Sequence, residues 1–120
     1  MSIGVNVAYA GNKTDAKVAY VLKSLKVDKA KKDKLTPILS EYYAEVSSAK
    51  KEYKDLKNKL EDAEFNGKLT AEDCDKLFET KQAFDSQEAA IRKKYYQKFK
   101  SVLTVQEAYQ AIKLCNDKVK

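Results

Sequence analysis

The chain has no histidine. That removes the commonest metal ligand and general base, and with it every Ser/His or Cys/His nucleophile pair. Two cysteines, Cys74 and Cys115, are too few and too isolated for a zinc site. Three glycines, Gly4, Gly11 and Gly67, lie too far apart to form a phosphate-cradling loop. Carboxylates are plentiful, but they alternate with lysine, the pattern of a solvated helix face rather than of a catalytic pair. No run approaches the ~18–20 apolar residues that a membrane-crossing helix needs. The chain is therefore read as non-enzymatic, with no metal, no cofactor and no membrane span.

Breakers are just as scarce. There is one proline, Pro37, and charged residues make up 35% of the chain, against a typical ~25%. With abundant Ala, Lys, Glu, Leu and Gln, this composition favours long helices in one domain. The net charge of +6 favours acidic partners: nucleic acid, anionic lipid or acidic protein segments.

Residues 1–10 carry no charged side chain and end in Ala8-Tyr9-Ala10, followed at once by the polar run Gly11-Asn12-Lys13-Thr14-Asp15. Small residues three before and one before a cut suit a signal peptidase. The expectation is a signal-peptide remnant over 1–10 and a single all-helical domain over 11–120. An unstructured cytosolic N-terminus is the competing reading.

Thr14 or Asp15 is expected to cap a first short helix with Val18, Val21, Leu22 and Leu25 on its apolar side. Asp28 suits a second cap, opening a long helix that passes through Pro37 with a kink. The six lysines around Asp28 (Lys23, Lys26, Lys29, Lys31, Lys32 and Lys34) read as a solvated face. From Leu39 the pattern becomes heptad-like: Leu39, Val46, Tyr53 and Leu60 alternate with Tyr42, Ala49, Leu56 and Ala63. It stops at Asn66-Gly67, a left-handed helix end. A third helix opens at Thr70, with Asp73 approximating a capping box, and runs to about Ser101. Its thin stripe is Cys74, Leu77, Phe84, Ile91, Tyr95 and Val102, with Lys81 and Glu88 at intervening positions. Thr104 and Glu107 complete the capping-box pattern for a last helix lined by Ala108, Ala111, Ile112 and Cys115.

The helices over 37–65 and 71–101 would span roughly 43 and 46 Å. The short linker Gly67-Lys68-Leu69 joins them, which predicts an antiparallel hairpin in a thin, elongated molecule that pairs as a homodimer. In that geometry Cys74 and Cys115 fall about 25 Å apart along the helices, so no internal disulfide is expected.

Several stretches resemble the Spy/CpxP-like periplasmic proteins, in the version common in Bacteroidetes. They are Ala19-Tyr20-Val21-Leu22, Leu25-Lys26-Val27-Asp28 and Leu35-Thr36-Pro37-Ile38-Leu39-Ser40-Glu41-Tyr42. Leu69-Thr70-Ala71-Glu72 and Ile91-Arg92-Lys93-Lys94-Tyr95-Tyr96-Gln97-Lys98-Phe99-Lys100-Ser101-Val102-Leu103 complete the likeness, which covers about residues 16–118. It implies a signal peptide, periplasmic localisation, an all-helical hooked fold and a cradle-shaped dimer. It also implies an ATP-independent chaperone-like role or modulation of envelope-stress sensing, including a sensor or anti-sigma partner. The L-T-x-x-Q signature of that family falls on Val27-Asp28-Lys29-Ala30-Lys31 and on Leu103-Thr104-Val105-Gln106-Glu107. Neither copy has Gln at the fifth place.

A chaperone without ATP holds an unfolded client through long-range charge attraction and loose apolar contact. The candidate contacts are Tyr43, Phe78, Arg92, Lys93, Tyr96 and Lys100. The cations and Tyr96 sit at i, i+1, i+4 and i+8, on one helical side. The structural alternative is that the aromatics pack against a dimer partner and the cations are solvated. Two other functions compete. A coiled-coil adaptor follows from the Leu39–Ala63 seam. A cytosolic nucleic-acid binder follows from the charge and Arg92-Lys93-Lys94-Tyr95-Tyr96, although no nucleic-acid-binding motif accompanies it.

Overall fold

A computed structural model describes residues 2–116, with side chains from residue 14 onward. Among the described residues the chain is all helical: α1 Ser2–Leu25, α2 Lys29–Lys59, α3 Glu61–Phe65, α4 Ala71–Lys100 and α5 Val105–Cys115. They fall into two compact units. One comprises Met1–Ala44 with Arg92–Lys120, the other Glu45–Ile91.

The first unit holds nearly all of the buried apolar side chains. Helix α1 supplies Val18 and Val21, and the loop after it Val27. Helix α2 supplies Leu35, Leu39, Tyr42 and Tyr43; α4 and the turn after it supply Tyr95, Phe99 and Leu103; α5 supplies Ala108 and Ala111. Helices α1 and α5 pack on each other, and the two alanines of α5 let it sit close. The aromatic rings form a chain. Tyr42 meets Tyr43 edge-on at 5.2 Å and Tyr95 at 5.5 Å, and Tyr95 lies 6.5 Å from Phe99. Edge-to-face contacts at these separations are the favoured aromatic geometry.

Helix starts follow the expected chemistry. The Asp28 carboxylate accepts from Lys31 N at 2.9 Å, and α2 then runs unbroken through Pro37. Thr36 Oγ1 donates to the Lys32 carbonyl at 2.6 Å, one residue before the proline. At the start of α4, Asp73 N donates to Thr70 Oγ1 at 3.0 Å and Thr70 N donates to the Asp73 carboxylate at 3.3 Å. Aspartate thus closes a capping box that usually takes glutamate.

Three expectations need correction. The first helix does not begin at Thr14 or Asp15; the backbone is helical from Ser2. A glycine such as Gly11 weakens a helix by about 1 kcal/mol without ending it, and no proline intervenes. The residues Ala8-Tyr9-Ala10 lie outside the described side chains. The long helix from Asp28 stops at Lys59 rather than Phe65. Leu60 leaves the helical region at φ −102°, ψ 10°, and α3 resumes at Glu61. The bonds Leu60 N to Leu56 O (3.1 Å) and Glu64 N to Leu60 O (2.9 Å) persist, so the break is local, and no proline or glycine causes it. Finally, Cys74 is exposed rather than part of the α4 stripe. The half-buried side of early α4 is Asp73, Leu77 and Thr80.

The second unit has a shallower interior. Ala49, Tyr53, Leu56, Leu60 and Ala63 are half-buried while their neighbours are exposed. These are the expected seam positions. Of the second unit's residues, Phe84 alone reaches the buried class among those described. Helix α3 ends in a Schellman turn: Lys68 N donates to Ala63 O at 2.7 Å and Gly67 N to Glu64 O at 3.2 Å, with Gly67 at φ +68°. Helix α1 ends differently, with Lys26 rather than glycine in the left-handed region at φ 57°.

Candidate functional site

Residues Arg92, Lys93, Tyr96 and Lys100 share the C-terminal part of α4, within the first unit. Lys93 is exposed, and Arg92, Tyr96 and Lys100 are half-buried. The Lys100 ammonium lies 4.8 Å from the centre of the Tyr96 ring, a cation–π contact that presents charge and aromatic surface together. Beside them, Lys98 sits 4.7 Å over Tyr95 and pairs with Glu41 at 3.6 Å.

Tyr43 lies in the core of the first unit. Its exposure is only 9%. Its ring packs edge-on against Tyr42, and its side chain is hydrogen-bonded to Cys115. Phe78 belongs to the second unit and is 66% exposed. Of the six, four share the C-terminal part of α4, Tyr43 lies in the core of the same unit, and Phe78 belongs to the other unit.

Sequence reasoning missed two features of the first unit. Phe99, fully buried, escaped the α4 stripe although it follows Tyr95 by one turn and precedes Leu103 by another. The spacing i, i+4, i+8 was the available signal. Lys31 belongs to the lysine-rich stretch expected to be a solvated face, yet its ammonium bonds Glu107 at 2.8 Å across 76 residues of sequence. The same Glu107 oxygen accepts from Thr104 N at 3.0 Å, while Glu107 N donates to Thr104 Oγ1 at 3.1 Å. The capping box of α5 is thereby tied to the first turn of α2. Lys31 first, and then the Thr104 N–H, hold the Glu107 carboxyl below its ordinary range.

Both thiols are free. Burial pushes Cys115 up to about 11, partly opposed by its hydrogen bond from Tyr43. It remains a neutral, packed thiol and a poor nucleophile at neutral pH. Among the described residues no group of three or more His, Cys, Asp or Glu side chains could hold a metal ion, and no helix is long and apolar enough to cross a membrane. Comparison with protein families, with curated proteins and with solved structures found no match.

Proposed function

We propose that this chain is an exported, ATP-independent binding protein of the Spy/CpxP-like type, which holds unfolded proteins or modulates envelope-stress sensing in the periplasm. The observation that carries this reading is the Lys31–Glu107 pair. The two stretches that resemble the L-T-x-x-Q signature each open a helix through a side-chain cap. Their fifth residues, where the family has glutamine, bond each other. Nothing in local helix chemistry requires residues 76 apart to meet. The packed arrangement of the two copies therefore supports the resemblance more strongly than either copy does alone.

In this reading α2 and α4 form an antiparallel hairpin. Support comes from each unit separately: Glu41 meets Lys98 and Tyr42 meets Tyr95 in one, and Tyr53 meets Lys81 at 6.0 Å in the other. Within the first unit, as the α2 numbers rise from 41 to 42 the α4 numbers fall from 98 to 95. The working form is a homodimer, and Phe78, Arg92, Lys93, Tyr96 and Lys100 contact the client. The test is aggregation of a chemically unfolded client, followed by light scattering without nucleotide. Suppression near one-to-one stoichiometry is expected; no effect across clients of differing charge would refute the function.

A second reading, a coiled-coil adaptor, is favoured by the half-buried seam Ala49–Ala63. It predicts one tight partner recovered from an envelope extract, and no general suppression of aggregation.

A further inference from the structure

The first unit holds sixteen of the chain's twenty-four cationic side chains and only six of its eighteen carboxylates. Six of those lysines fall between Lys23 and Lys34, against Asp28 and Asp33. Contacts inside the unit fix where they lie. Lys17 of α1 sits 5.5 Å from the Tyr43 ring of α2, so α1 and α2 fold back on each other about the turn at 26–28. Glu107, in the first turn of α5, meets Lys31, in the first turn of α2. Cys115, the last residue of α5, meets Tyr43. Helix α5 therefore runs beside α2 in the same direction. The end of α1, the start of α2 and the start of α5 share one end of the unit.

Positive charge is left over at that end. Lys23 lies in the last turn of α1, Lys26 in the connecting turn, and Lys29, Lys31 and Lys32 in the first turn of α2. The nearby carboxylates are already engaged. Asp28 caps α2, Asp33 pairs with Lys29 at 3.1 Å, and Glu107 pairs with Lys31 at 2.8 Å. Among the described residues Lys23, Lys26 and Lys32 enter no ion pair. Lys26 holds a left-handed backbone at φ 57°, which glycine would adopt without strain, so the turn carries a cation there at a cost in stability. At the same end Val105, the first residue of α5, is 57% exposed.

We propose that this end of the first unit docks on the anionic headgroup surface of a lipid bilayer, with Val105 entering the headgroup layer. Charge complementarity selects an anionic occupant. The type of cation selects the bilayer. The chain's single arginine, Arg92, lies elsewhere, on α4, and every cation of the docking end is a lysine. Arginine forks suit fixed phosphates and carboxylates, whereas lysine is a hydrated point charge on a flexible stem. A group of such charges matches a diffuse, laterally mobile negative surface, to which each contributes about fivefold in affinity. The exposed aliphatic side chain of Val105 has no base or carboxylate to meet, but it fits the boundary between headgroups and acyl chains. The inference goes beyond client binding, because Phe78, Arg92, Lys93, Tyr96 and Lys100 take no part in it.

The experiment uses the full chain and vesicles of phosphatidylcholine, alone or mixed equally with phosphatidylglycerol, with binding read by cosedimentation at low ionic strength. The mixed vesicles should be bound about tenfold or more tightly than the neutral ones, and salt should release the protein as it screens the contact. A Lys23→Gln/Lys26→Gln/Lys29→Gln variant should lose about tenfold or more in affinity. A Lys50→Gln/Lys54→Gln/Lys57→Gln variant removes the same net charge from the second unit and should bind as the parent does. All six positions are exposed, so circular dichroism should show unaltered helicity. Lys26→Gly separates binding from folding, since it relieves the strained turn yet should weaken vesicle binding by about fivefold. Equal binding to both kinds of vesicle, or an equal loss in the two triple variants, overturns the proposal. So does tighter binding of a labelled glutamate peptide or single-stranded oligonucleotide than of mixed vesicles at equal negative charge, because an acidic protein or a nucleic acid would then be the occupant. Client aggregation is scored separately, so loss of one result leaves the other legible.

Discussion

Phe99→Ala is the sharpest test of how the first unit is held together. The side chain is fully buried in the aromatic chain that runs through Tyr95 and Tyr42 to Tyr43. Truncating a buried phenylalanine loses its transfer energy and leaves a cavity, a cost of about 3–5 kcal/mol. A domain has only about 5–15 kcal/mol of stability in total, so about a fifth or more would go. With a urea slope of about 1.5–2 kcal/mol per molar for a chain of this size, the midpoint should fall by about 2 M. Phe65→Ala is the matched control, because the same atoms leave a site that is 89% exposed. Surface changes of that kind stay within about 0.5 kcal/mol. The assay is urea unfolding followed by circular dichroism at 222 nm. If Phe99→Ala falls within about 1 kcal/mol of the parent, or costs no more than Phe65→Ala, the burial argument fails and the aromatic chain does not organise this unit.

Other outcomes follow from single residues. Lys26→Gly should stabilise the protein by about 0.5–1 kcal/mol, because a left-handed residue with a Cβ is strained and glycine is not; a lower unfolding midpoint would contradict this. Glu107 is held below its ordinary value of 4.5, so its contribution is present above that pH and is lost as pH falls through the lower folded value. Glu107→Gln keeps the capping geometry without the charge, so the stability gap between parent and variant should be widest near neutrality and close in acid. A gap constant from pH 7 to pH 3 would refute the Lys31 linkage. Iodoacetamide at pH 8 should alkylate exposed Cys74 well before Cys115, whose thiol is raised to about 11; equal rates by mass spectrometry would show that Cys115 is not packed.

The parts of the fold legible in the sequence are those with local causes. Asp28, Thr70 and Thr104 start helices because a side-chain oxygen one turn from an unsatisfied N–H is chemistry contained within four residues. Gly67 ends one because its conformation suits glycine. The seam positions from Ala49 to Ala63 emerged because period alone fixes which side of a helix is apolar. Leu60 was not legible, because a break without a breaker residue leaves no local mark. Lys26 was not either, since lysine carries no preference for the conformation that it adopts.

The candidate site was harder for the same reason in reverse. Tyr43 and Tyr42 are adjacent aromatics, and composition cannot say which of them, or whether both, will be buried; the packing of α2 against its neighbours decides it. Lys31 is one of six lysines in a row that look interchangeable, and only the position of α5 singles it out. Charge segregation behaves differently. The acidic run of 61–79 was present in the sequence throughout, but a net charge of +6 averages it away. Electrostatic attraction fades over ~10 Å at 0.1 M salt, so a partner responds to the sign of the segment that it approaches and not to the total.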